Sequence, residues 1–234
     1  STLLASSAAS DVYKRQALLF AMAVGIPVGI ISARRQYTIF DNITMVLTLI
    51  GAAAPHFWLG LMGVIIFAVN LGWLPAAYSG SSPYLLCLIL PMLTLGLNST
   101  ATITRMTRSA MLDVMNQDYI DTARAKGVSE KRVTFVHMLR NALIPIITVV
   151  GLQFGSLLGG AVTTETIFAW PGIGRFIVES ISNKDTPCVL GAVVMLAVIV
   201  TCINLLVDII YAFVDPRIKS QYKSIKRRTR HGED

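Results

Sequence analysis

Four long apolar stretches dominate this chain: Ile43–Val69, Tyr84–Ile103, Ala142–Phe168 and Cys188–Val214. As a helix, each is long enough to cross about 30 Å of hydrocarbon, which takes about 20 residues. A fifth stretch, Ala17–Ala33, has 17 residues and sits at the lower limit. Inside lipid every backbone donor and acceptor must be satisfied within the segment, so these stretches are expected to be helices. The expected fold is therefore all-α and integral to the membrane, a polytopic bundle of about five spans. Composition agrees, with 14% charged residues where a soluble domain carries about 25%.

Charge then orients the bundle. The connections Arg34–Asn42 and Arg105–Asn141 and the tail Asp215–Asp234 hold 2, 7 and 7 Lys/Arg, whereas the alternate loops hold only Arg175 and Lys184. The positive-inside rule puts the first group, and with it the C-terminus, in the cytoplasm. The net charge of +7 thus reflects topology and contact with the bilayer. Nucleic acid is not an expected partner, because no aromatic platform accompanies the basic residues. Cys87, Cys188 and Cys202 are scattered, with neither a disulfide framework nor metal-ligand spacing. Residues 1–16 read as a non-native or mis-joined segment, since Lys14 and Arg15 would lie on the outer side, against the charge rule. The expected division is a membrane domain over 17–214 with a cytoplasmic loop at 105–141, followed by a basic tail over 215–234.

The 117–145 region is a polar, helix-forming island. Asp118 is expected to cap a helix over Tyr119–Lys126, with Asp121 favoured near the positive end of its dipole. Gly127 supplies the left-handed residue that stops it. Ser129 is expected to cap the next helix, whose apolar stripe reads Val133, Val136, Leu139, Leu143 and whose course bends at Pro145.

Within the spans, Gly151, Gly155 and Gly159 recur every fourth residue and would admit a close neighbour, for static packing or for sliding. Asn98, Gln153, Ser156 and Asn204 lie at mid-span depth, where they would line a polar path or bond across helices. Glu165 and Asp208 lie toward opposite ends of their spans, and pairing with nearby basic residues, Arg175 in the first case, is the simpler reading. His56 has no second ligand in sight and reads as structural. Trp170–Gly174 contains Pro171, Gly172 and Gly174 and reads as an outer turn, with Trp170 at headgroup level. No phosphate-binding loop of the G-x-x-x-x-G-K-[ST] kind occurs, so the chain is not expected to hydrolyse ATP.

Several of these segments together carry a family likeness. Asp121-Thr122-Ala123-Arg124-Ala125-Lys126-Gly127 resembles the cytoplasmic "EAA" loop of ATP-binding-cassette importer permeases, in the dipeptide, oligopeptide and nickel group. Asp121 stands where the general motif has Glu, and Thr122 replaces its first Ala. Leu90–Leu112, Thr164–Ile181, Lys184–Pro187 and Asn204–Arg217 resemble further blocks in the same order. Phe168–Gly174 resembles the first of the two paired permeases. Two departures stand out: Lys184 and Thr186 replace an Arg and an aromatic residue, and the resemblance implies a further family span ahead of Ala17 that this chain is expected to lack.

The resemblance implies a subunit of the bacterial plasma membrane that moves peptides or related small solutes by alternating access. It implies two cytoplasmic ATPase subunits, a second homologous permease and an extracytoplasmic solute-binding protein as partners. ATP and Mg would reside on the ATPases, with no cofactor or metal on this chain. Tyr119, Ile120, Asp121, Ala123, Arg124, Ala125, Lys126 and Gly127 would form the ATPase-coupling helix. In that reading Tyr119 and Ile120 serve as apolar anchors, and Arg124 and Lys126 face acidic rims. Trp170, Pro171, Gly172 and Gly174 would form an outer gate or a static turn. An ion-coupled secondary transporter is the alternative; it calls for mid-membrane coupling residues and an internal repeat.

Overall fold

The computed structural model describes the backbone of residues 2–79, 83–159 and 162–214, and the side chains of these except 2–11, 158–159, 207–208 and 210–214. The basic tail over 215–234 and the Asp208 side chain lie outside the described residues. The described chain is helical: α1 (Thr2–Arg34), α2 (Ile39–Ala53), α3 (His56–Gly63, continued by a π-helical turn Val64–Asn70), α4 (Tyr84–Met115), α5 (Asp118–Ala125), α6 (Glu130–Arg132), α7 (Leu139–Gly159), α8 (Val162–Ile167), α9 (Ile173–Ser182) and α10 (Thr186–Val214). A second π-helical segment, Val133–Met138, joins α6 to α7. Among the described residues, four helical segments are long and apolar enough to cross a membrane, and a bent pair brings the number to five.

The bent pair is α2 and α3, which meet at 100° where one unbroken span is expected from the sequence. Pro55 is the cause. Having no N–H, it leaves the Gly51 carbonyl without its helical donor. Asn98 on α4 fills the gap, donating from Nδ2 to the carbonyls of Gly51 at 3.3 Å and Ala52 at 3.2 Å. The described part of the Ala142–Phe168 stretch is helical over α7 and α8. α7 itself runs through Pro145 without interruption.

The closest packing brings α1 against α4. Ala17 and Phe20 lie beside Gly96, Gly25 beside Thr100 and Ile103, and Gly29 beside Thr104 and Thr107, so the two helices run parallel. A Cβ at Gly29 would sit 2.6 Å from Thr107 Cβ and 2.7 Å from the Thr104 carbonyl. Gly25 and Gly29 form a G-x-x-x-G pair, which lets two backbones approach where lipid offers no hydrophobic drive for helix association. The Gly151-Gly155-Gly159 stripe is represented at α10 by Gly155, whose missing Cβ leaves room for Asn204 Oδ1.

The expected apolar stripe after Ser129 is displaced. Val133, Met138, Ala142 and Ile146 are buried, whereas Val136 is 46% exposed. Five residues separate the first two and four separate the rest, as a π-helical turn followed by an α-helix requires. Ser129 occupies the N-cap position but its hydroxyl makes no capping bond, and α5 begins one residue early, at Asp118, with Gln117 at its N-cap.

Replacing Gly29 by Val forces the α1–α4 contact apart, at a cost of about 1–3 kcal/mol. The expected result is a lowered thermal midpoint of the detergent-solubilised chain, with Gly191→Val, in open space, as the reference.

Candidate functional site: the loop helix and the two ends of the bundle

At the basic end of the bundle, α5 lies across the spans. Ile120 is fully buried and Ala123 nearly so, in an apolar cluster with Ile30 and Ala33 of α1, Ala110 and Met111 of α4, Val133 and Met138 of the π segment, and Ala142 and Ile146 of α7. Tyr119, Asp121, Thr122, Arg124, Ala125 and Lys126 are exposed. Ile120 is therefore an anchor into the bundle's own core, and the outward face is built from the other residues. Arg124 is already paired, with Asp121 at 3.3 Å and Glu130 at 2.9 Å, and Tyr119 Oη accepts from Asn141 Nδ2 at 3.0 Å. Lys126 has no ion pair to a described residue.

The helix ends as the sequence requires. Gly127 has φ +77°; its N–H donates to Arg124 O at 2.9 Å and that of Val128 to Ala123 O at 3.2 Å. These two bonds form a Schellman closure, and Val128 packs against the same apolar cluster. The geometry turns the chain back into the bundle within two residues.

Beside α5 lies an ion pair that the sequence reading did not single out. Arg108 on α4 makes two parallel bonds to Asp41, from Nε and Nη2, each 2.6 Å long. Asp41 is 1% exposed; it also accepts from Ser32 Oγ on α1 and from the Tyr37 N–H at 3.0 Å. Tyr37 is left-handed, with φ 63°, which turns its N–H toward the carboxylate. α1, the α1–α2 turn and α4 thus share one carboxylate. The available signal was Thr38 three residues before Asp41, the spacing of a helix-start box; the Asp41 N–H does donate to Thr38 Oγ1, at 3.4 Å.

At the opposite end, Trp170 is buried among aromatic rings. It is 1% exposed and contacts Tyr78, Tyr84 and Tyr13, with ring centroids 5.1, 5.5 and 5.8 Å away. Pro171 is exposed, and Gly172 and Gly174 are buried. The reason for both glycines is Glu165, whose carboxylate occupies the space a Cβ at Gly172 would take and lies 2.8 Å from a Cβ placed on Gly174. Glu165 Oε2 accepts the N–H groups of Gly174 at 2.8 Å and Arg175 at 3.3 Å, so it neutralises the positive end of α9.

Arg175 is a main-chain partner of Glu165 and not its expected ionic partner. Its guanidinium bonds Glu179 at 2.6 Å and the Ala169 carbonyl. Tyr13 Oη also donates to Glu165, at 3.2 Å, and Lys14 Nζ lies at 3.6 Å. Tyr13 and Lys14 are buried, and α1 runs without a break across the expected boundary at residue 16.

The four mid-span polar residues are not joined to one another by any hydrogen bond among the described residues. Asn98 serves the α2 break and Asn204 lies against Gly155. Gln153 is half-buried and Ser156 exposed, both on α7. His56 Nδ1 is buried with no hydrogen-bond partner among the described residues. No group of three or more His, Cys, Asp or Glu among those residues could hold a metal.

The chain is similar to known proteins. Residues 25–220 match the family described as the binding-protein-dependent transport system inner membrane component. The chain belongs to that family. It is an integral, multi-pass permease component with no cofactor of its own, and ATP hydrolysis belongs to a separate subunit. It is 44% identical over 230 residues to the di/tripeptide transport system permease protein DppB of Pseudomonas aeruginosa, covering 88% of this chain and 68% of that one. It is 42% identical over 231 residues to the dipeptide permease DppB of Escherichia coli K12, covering 87% and 68%. To the oligopeptide permease AppB of Bacillus subtilis it is 45% identical over 208 residues, covering 86% and 66%.

In fold, the permease matches a chain of the MetNI methionine ABC transporter with TM-score 0.74 at 16% identity, over 91% of this chain and 96% of that one. A chain of an amino-acid ABC transporter matches at TM-score 0.62 and 15% identity, over 92% and 94%. The expected polytopic helical permease fold is borne out.

Two substitutions test the ends separately. Arg108→Ala removes the fork that holds Asp41 and leaves its buried carboxylate unpaired, which costs about 3–5 kcal/mol; a lower yield of folded chain in fluorescence-detected gel filtration is the expected readout. Gly172→Ala displaces the Glu165 carboxylate. Increased protease cutting around 169–175 is expected, with the basic-end loops cut as before.

Proposed function

We propose that this permease moves peptides or related small solutes across the bacterial plasma membrane, with its basic end in the cytoplasm. Its partners in this reading are two ATPase subunits docked through α5, a second homologous permease that completes the pathway, and an extracytoplasmic solute-binding protein at the Trp170 end. Identity of 42–45% to permeases named for di-, tri- and oligopeptide transport supports the solute class. The distribution of Lys and Arg supports the orientation.

The observation that carries the mechanism is the two-sided character of α5. Its inner residues, Ile120 and Ala123, sit in a cluster contributed by α1, α4 and α7, while its outer face is free for a partner. Closure of the ATPases on ATP displaces α5, and the shared cluster passes that displacement to three spans at once. Packed interiors move as bodies rather than deforming continuously, so the pathway swings between outward and inward access. Gln153 and Ser156 of α7 and the exposed Asn204 of α10 are polar groups left for contact with solute, since Asn98 is engaged with the α2 carbonyls. The Trp170 turn, fixed by Glu165, frames the outer mouth.

Ala125 gives the cleanest test, being exposed on α5 and outside the buried cluster. Ala125→Asp, in the full complex, is expected to insert and assemble with the second permease but to lose co-purification of the ATPase pair. Equal ATPase recovery with both proteins would reject α5 as the docking helix. For the solute, uptake of labelled dipeptide by cells dependent on this system is expected; uptake unaffected by deletion of the permease would reject the peptide assignment.

A further inference from the structure

A groove of about 560 Å³ opens at the basic end of the bundle, beside α5 but outside its docking face. Ile31 of α1, Phe40 at the start of α2 and Phe135 of the π segment supply its apolar walls, and Arg34 and Arg35, where α1 ends, supply its rim. The three apolar side chains are 42%, 38% and 57% exposed. Neither guanidinium makes an ion pair or hydrogen bond to any described residue, in contrast to Arg108 on α4, whose Nε and Nη2 bond Asp41.

We propose that this groove binds one anionic phospholipid, its phosphate held by Arg34 and Arg35 and the upper part of an acyl chain lying against Ile31, Phe40 and Phe135. Three observations select this occupant. The groove lies where α1, a membrane-crossing helix, ends in Arg34, the depth at which headgroups sit and basic side chains snorkel. Its chemistry is two-part, apolar wall with paired forks, and a guanidinium fork matches phosphate oxygens; basic pockets between membrane helices bind anionic headgroups by the same means. The tail over 215–234 holds 7 Lys/Arg against 3 acidic residues, so it carries the same sign of charge as the rim. The volume lies within the usual range for a bound small molecule, about 300–1,000 Å³.

Phe135 gives the site a consequence. It sits on the segment that carries α5 back into α7, so lipid in the groove braces the loop on which the ATPase docks. The inference goes beyond the transport reading, and it stands whichever solute is carried.

Native mass spectrometry of the assembled transporter decides it, with added phosphatidylglycerol or phosphatidylcholine of matched chain length. Phosphatidylglycerol adducts are expected to survive detergent activation with a preference on the order of tenfold over phosphatidylcholine. The double variant Arg34→Gln/Arg35→Gln is expected to abolish the preference, and Arg140→Gln, an exposed basic residue outside the groove, to preserve it. Ile31→Trp fills the groove and keeps both charges, so it is expected to lower retention of phosphatidylglycerol; should the double variant fail to assemble, this variant decides alone. Equal retention of the two lipids, a preference that survives both groove variants, an equal loss with Arg140→Gln, or a protein subunit found cross-linked into the groove each overturn the proposal.

Discussion

The burial of Ile120 is the contact on which the rest of this permease depends. A polar helix of eight residues has little reason to form alone, because nucleation is costly and short helices are marginal in water. α5 exists because one side of it, Ile120 and Ala123, completes an apolar cluster begun by α1, α4 and α7. The Gly127 closure then sends the chain straight back into that cluster through Val128 and Val133. A surface element is thereby fixed to three spans, and in the proposed mechanism the same fastening carries its motion to them.

Two carboxylates play matching parts at the two ends. Asp41 ties α1 to α4 near α5 by accepting the Arg108 fork, the Ser32 hydroxyl and a main-chain N–H. Glu165 ties α8 to α9 at the far end through two main-chain N–H groups. Both satisfy the demand that buried charge be paired and hydrogen-bonded. Between them the bundle is held by shape, above all where Gly25 and Gly29 let α1 lie on α4.

Much of this was legible in the sequence. The apolar stretches gave the spans, Gly127 gave the stop of α5, and the blocks around it gave the family. What escaped was set by partners distant in sequence. Nothing near Pro55 says that Asn98, more than forty positions on, will satisfy the carbonyl it strands, so the α2–α3 break read as a continuous span. Arg175 is the nearest basic residue to Glu165 in the chain, yet the carboxylate prefers its main-chain N–H to its side chain. Ile120 read as an outward anchor because a helix of this length does not declare which side meets the bundle. The register slip that buries Met138 and exposes Val136 arises from π-helical winding, which a 3.6-residue period cannot anticipate.

The direct test of this account is to loosen the fastening without touching the outer face of α5 proposed to dock the ATPases. In the reconstituted complex, Ile120→Ala removes apolar contacts worth about 2–5 kcal/mol from the shared cluster and leaves Tyr119, Ala125 and Lys126 in place. ATP hydrolysis and peptide uptake would be measured on the same vesicles. The account predicts that the ATPases still bind and hydrolyse ATP while uptake per ATP falls severalfold or more. Uptake per ATP equal to that of the natural complex would contradict it, since the spans would then be receiving the ATPase movement by some route other than Ile120.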